Sequence, residues 1–144
     1  LIIGTASGLR ELAEARGESG SPRLHCVQAE AVRPIVAAVN GEDWDPKAAS
    51  PTVAGGIAVA SPRRLAQVVD AVRSSGGAGV AVDDESIVRW QQWLARNEGI
   101  FCEVTSAAAF AGLEVLRESG VVAPGDSVLV PVTGAGLKEP LFAK

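Results

Sequence analysis

The chain has 144 residues, enough for one domain with its own hydrophobic core, and its 47% apolar and 21% charged residues are those of a globular protein. Net charge is −4 and the ten Arg and three Lys are scattered, so no basic stripe tracks a phosphate backbone and nucleic-acid binding is not expected. No apolar run approaches the ~20 residues of a membrane span, and a soluble, cytoplasmic protein is the expectation.

Residues 2–16 read as a helix, with Ile2, Ile3, Leu9, Leu12 and Ala13 near helical spacing. A polar turn with two Gly, two Ser and a Pro follows over 17–22. Leu24–Ala29 reads as a short strand apolar enough to be buried on both faces. A helix around Arg33–Val39 tolerates Pro34 in its first turn. Asn40–Pro51 is a loop with an acidic cluster around Trp44, and the run TVAGGIAVA from Thr52 to Ala60 is small, apolar and interrupted by glycine.

Ser61-Pro62 looks like an N-cap with proline at the first helical position, leading a helix to Ser74 that Gly76-Gly77 ends. Gly79–Val82 is a strand, and Asp83 or Asp84 caps the next helix, which runs to Asn97. On it Trp90 shares a face with Ile87 and Leu94 and should be core, while Trp93 faces elsewhere, towards a neighbouring element or an interface. Gly99 breaks the chain before Ile100-Phe101-Cys102, a helix covers Ser106–Ser119, and Ser127–Val132 is the last strand. Strands alternating with helices of this length predict an α/β fold, a mainly parallel twisted sheet flanked by helices, in a single domain over 1–144.

Ligands of such sheets bind at the carboxyl ends of strands, and Thr133-Gly134-Ala135-Gly136 sits at one. Its glycines admit a close ligand and the Thr133 hydroxyl can donate or accept a hydrogen bond, although a tight turn would use the same residues. Thr105 or Ser106 should cap the helix after Glu103. Ser106 makes a poor candidate nucleophile, because His25 is the only histidine and lies on a distant strand. Glu103 stands among apolar residues just outside a helix start, where a carboxylate needs donors such as that helix N-terminus. Cys26 and Cys102 lack companions at metal-ligand spacing and should remain thiols without a disulfide; no metal is expected.

Six segments in this order resemble one lineage, the fold-type II pyridoxal-phosphate enzymes and within it the threonine synthases: LIIGTASGLREL, PRLHCVQAEAVRPIV, PTVAGGIAVASPRR, SSGGAGVAVDDESI, ARNEGIFCEVTSAAAFAGL and VLVPVTGAGLKEP. The resemblance implies pyridoxal phosphate as cofactor, an amino-acid substrate and a homo-oligomer. It places the Thr133 hydroxyl against the pyridine nitrogen, with Gly134 beside it and Glu103 in support. A hydroxyl is too weak an acid to protonate pyridine, so the ring becomes a milder electron sink than one paired with a carboxylate. The family usually has Pro where Val104 stands and an acidic residue where Gly55 stands, so no carboxylate is carried over to position 55.

In the family the Schiff-base lysine and the phosphate loop lie upstream of the segment similar to LIIG, whose helix would face the phosphate with its N-terminus. The chain has no Met and only Lys47, Lys138 and Lys144, none at the position of that lysine. The expectation is therefore a C-terminal piece of a larger lyase, carrying no catalytic residue and inactive alone. The implied reaction is O-phosphohomoserine and water to threonine and phosphate. A serine/threonine dehydratase-type lyase and a non-catalytic α/β binding module are the alternatives; a dinucleotide turn at TGAG lacks the glycine spacing and distal acid. Surfaces left uncovered in such a piece should drive self-association.

Overall fold

The computed structural model describes residues 1–18 and 20–138. Five helices are described, α1 (Ile2–Arg16), α2 (Pro34–Asn40), α3 (Leu65–Ser74), α4 (Asp84–Asn97) and α5 (Val104–Glu118). The sheet is two parallel strands, β1 (Cys26–Ala29) and β2 (Gly79–Val82), paired from Cys26 with Gly79 to Ala29 with Val82. The α/β reading and its parallel pairing are both present.

Successive strand residues point to opposite faces, and the core divides accordingly. Cys26 packs with Val36 of α2 and Val72 of α3. Ala29 packs with Val82, with Ile87 and Leu94 of α4, and with Val104, Ala107, Ala108 and Ala111 of α5. Small residues on α5 let the helix approach closely. A Cβ built on Gly112 would lie 2.2 Å from Cγ2 of Val27, so β1 and α5 meet where only glycine fits.

Buried polar side chains tie these layers together. Gln28 of β1, 4% exposed, accepts from the amides of Ile35 (2.7 Å) and Val36 (3.0 Å). It thus satisfies two first-turn N–H groups of α2 that Pro34 at the helix start and the side chain of Arg33 leave open. Asp83 caps α4 by accepting from the Ser86 amide at 2.7 Å. The next residue, Asp84, accepts from the Thr52 hydroxyl and from the Val53 amide at 2.9 Å, fixing the 52–60 run against α4.

Three expectations change. α3 starts at Leu65, because Ser61–Arg64 form a turn in which the Leu65 amide donates to the Pro62 carbonyl at 3.3 Å, and Ser61 caps nothing. α5 starts at Val104, with Glu103 in the cap position, so Thr105 and Ser106 are first-turn residues. Ser127–Val132 is not a strand: it pairs with no neighbouring strand among the described residues, and Leu129 is 91% exposed. α1 stands over the residues read as helical, and it buries none of them, its main contact being α3.

Ile87 and Leu94 are buried and Trp90 partly so, its indole N–H donating to Glu114 at 3.0 Å. Trp93 is 45% exposed and meets Trp90 edge-on. Cys26 and Cys102 are buried without a disulfide. Among the described residues no helix is long and apolar enough to cross a membrane, and no cluster of His, Cys, Asp or Glu could hold a metal ion.

Candidate functional site

The residues singled out by sequence converge at the N-terminal end of α5. Thr133–Gly136 runs antiparallel to Phe101–Glu103, with a bridge between Cys102 and Ala135. The Glu103 amide donates to the Gly134 carbonyl at 3.0 Å, and the Gly136 amide to the Phe101 carbonyl at 2.9 Å. Gln91 of α4, itself buried, donates from Nε2 to the Cys102 carbonyl at 2.8 Å and so holds this connection to the core.

Glycine is required where the two segments touch. A Cβ on Gly134 would fall 2.3 Å from Cδ of Glu103 and 2.5 Å from its Oε1. The Glu103 carboxylate therefore lies over a bare backbone. A Cβ on Gly136 would come within 2.7 Å of the Phe101 ring.

Thr133 is exposed, whereas Ser106, in the first turn of α5, is buried with 3% exposure. The Thr133 amide donates to Ser106 Oγ at 3.2 Å, and the two hydroxyl oxygens are also 3.2 Å apart. Ser106 has its partner in Thr133 and not in His25, whose Nδ1 accepts from the Ala78 amide at 3.1 Å. Burial and the nearby Arg23 push the His25 pKa down, which suits a neutral acceptor at the head of β1. The serine–histidine pairing is absent, as the sequence implied.

A third segment reaches the same helix end. The turn Gly55–Ile57 packs on α5, and a Cβ on Gly56 would meet Thr105 Oγ1 at 2.9 Å. Gly55 is exposed beside it. Lys47 is exposed in the turn Pro46–Ala48, Lys138 belongs to the turn Gly136–Lys138, and Lys144 lies outside the described residues. Sequence reasoning missed Gln91 and the bond between Ser106 and Thr133. Gln91 falls on the Ile87–Leu94 face, a polar residue at a core position and the one available signal.

The sequence pattern of the pyridoxal-phosphate dependent enzymes matches residues 1–134. The chain belongs to this family. Its relatives include the threonine synthase of Methanocaldococcus jannaschii, 40% identical over 121 residues that cover 83% of this chain and 30% of that protein. The threonine synthase of Methanosarcina acetivorans is 36% identical over 96% of this chain and 35% of its own length. That of Halalkalibacterium halodurans is 35% identical over 92% of this chain and 36% of its own length. The chain thus spans about a third of the length of the curated relatives it matches.

Membership of the pyridoxal-phosphate dependent enzymes makes pyridoxal phosphate the cofactor of the enzyme to which these residues belong. The donor set fits one part of that molecule. An exposed neutral hydroxyl, anchored at its own oxygen and amide and followed by a residue without a side chain, suits an aromatic nitrogen that accepts one hydrogen bond.

Proposed function

We propose that these 144 residues form one α/β domain, the C-terminal part of the large domain of a threonine synthase-like lyase. Its reaction is conversion of O-phosphohomoserine and water to threonine and phosphate, with the enzyme a homo-oligomer. The observation that carries the reading is the exposed Thr133 hydroxyl, pinned from behind by Ser106 in a chain similar to threonine synthases.

When bound, pyridoxal phosphate supplies an electron sink for negative charge developing on the substrate. The chain's own residues bind and orient. Thr133 would offer its hydroxyl to the ring nitrogen and, being a very weak acid, would not protonate it. Gly134 leaves the space at its α-carbon to the Glu103 carboxylate, and Glu103 holds that backbone with its amide. The cofactor-bonding lysine is assigned outside these residues, so the chain by itself is inactive and does not retain the cofactor covalently.

Two measurements test this. The holoenzyme carrying these residues is assayed with O-phosphohomoserine, serine and threonine; preference for serine or threonine would replace the reading with a dehydratase-type lyase. The isolated chain is mixed with pyridoxal phosphate, reduced with borohydride and mapped. A cofactor-modified Lys47 or Lys138 peptide would refute the placement of the lysine.

A further inference from the structure

Ser106 and Thr133 share more than a contact, because the hydrogen count between them is fixed. Ser106 Oγ has two partners among the described residues, the amide and the hydroxyl of Thr133. A hydroxyl carries one hydrogen and two acceptor sites. The Thr133 amide can only donate, so it occupies one acceptor site of Ser106. Were the Thr133 hydroxyl to donate as well, Ser106 would accept twice, and its own hydrogen would be buried without an acceptor. Buried hydroxyls avoid that state, which costs more than the bond gains. Ser106 therefore donates to Thr133 Oγ1, and the Thr133 hydrogen is turned away from α5 towards its exposed side.

We propose that Ser106 is a positioning residue that fills one acceptor site of Thr133 Oγ1 and leaves the Thr133 hydrogen free to be given, which favours a ring nitrogen that carries no proton. The proposal rests on the reading that Thr133 meets the pyridine nitrogen and adds the direction of the bond and its source. A bond received by Thr133 Oγ1 also polarises the hydroxyl and strengthens the one it gives. Without Ser106 the hydroxyl turns freely and the Thr133 amide loses its acceptor, although no atom touching the cofactor has changed.

The test is a double-mutant cycle in the holoenzyme, read as the dissociation constant of pyridoxal phosphate. Thr133→Val should weaken binding by about five- to ten-fold, the loss of one hydrogen bond in a partly dry site. Ser106→Ala should weaken it by about three- to five-fold, and the double variant should be no weaker than Thr133→Val alone. Ser106→Cys keeps the volume but donates poorly and should behave like Ser106→Ala, which guards against a packing defect. A second probe is the carbocyclic analogue of pyridoxal phosphate with C–H in place of the ring nitrogen, for which every variant should bind as the wild type does.

If Thr133→Val leaves affinity unchanged, the placement of Thr133 falls and the proposal with it. If Thr133→Val weakens binding while Ser106→Ala and Ser106→Cys do not, Thr133 stands and the role of Ser106 is refuted. Additive losses, or losses that persist with the carbocyclic analogue, would likewise overturn it.

Discussion

Replacing Gly112 with alanine separates two opposed effects at the seam between β1 and α5. Alanine in a helix interior is favoured over glycine by about 1 kcal/mol, so an unopposed substitution would stabilise α5. Here the new Cβ would lie 2.2 Å from Cγ2, 2.7 Å from Cγ1 and 3.0 Å from Cβ of Val27. Rotating the valine moves its methyl groups but not its Cβ, so helix and strand must separate. Overpacking of this kind costs about 1–3 kcal/mol, and three simultaneous contacts argue for the upper half. The net expectation is a loss of about 1–2 kcal/mol, or roughly 3–6 °C in melting temperature for a domain of this size. Urea unfolding followed by fluorescence of Trp44, Trp90 and Trp93 measures it. In a Val27→Ala background the obstacle is gone, and the same substitution should become neutral or stabilising. A gain in stability with Val27 intact would refute the close approach of α5 to β1.

Other expectations concern charge and the site. Burial pushes the Cys26 thiol from 9.0 up to about 11. The unfolded chain therefore releases this proton first, so the stabilising contribution is full below about pH 9 and is lost as pH rises to about 11. Cys26→Ala should flatten stability over that window in pH-dependent urea titrations. Gly134→Ala should cost little stability, because the obstacle is the mobile end of Glu103, yet weaken pyridoxal phosphate binding by displacing that carboxylate; thermal melts and equilibrium dialysis report the two separately. Gln28→Leu would strand two α2 amides in or near the core at a cost of about 2–4 kcal/mol in urea unfolding. Leu129, Leu137 and Leu1 are each more than four-fifths exposed, so the isolated chain should self-associate in light scattering, and a clean monomer would count against that.

Elements whose cause is local were legible in the sequence. The cap at Asp83, proline at the start of α2 and the apolar spacing of α4 each act within a few residues, and each stands where expected. The failures have a different origin. Ser61-Pro62 carries a helix-start signal, but the chain spends three more residues in a turn before α3 begins. The VLVPV run has the composition of a buried strand, yet strand formation needs a partner, and none of the described residues supplies one. At the site, sequence alone pointed to Thr133, Gly134 and Glu103 but not to what holds them, because Gln91 and Ser106 act across long separations in the chain.

The last point changes how the site is supported. A loop at the carboxyl end of a sheet strand takes its rigidity from the strand behind it, but the residues leading to Thr133 are mostly exposed and have no strand partner among the described residues. Thr133–Gly136 is instead fixed by two backbone hydrogen bonds to Phe101–Glu103, which together make the bridge between Cys102 and Ala135, and by the Ser106 hydroxyl. Those groups belong to the entry of α5, which Gln91 and the alanine face of α5 anchor to the core. Among the described residues, position at this loop is therefore inherited from the start of α5. A substitution that loosens α5, such as Gln91→Leu, should disturb the Thr133 environment more than one that alters the 127–132 run. Amide hydrogen exchange across 133–136 distinguishes the two, and faster exchange after changes at Val128 or Leu129 alone would show the 127–132 run to be the true support.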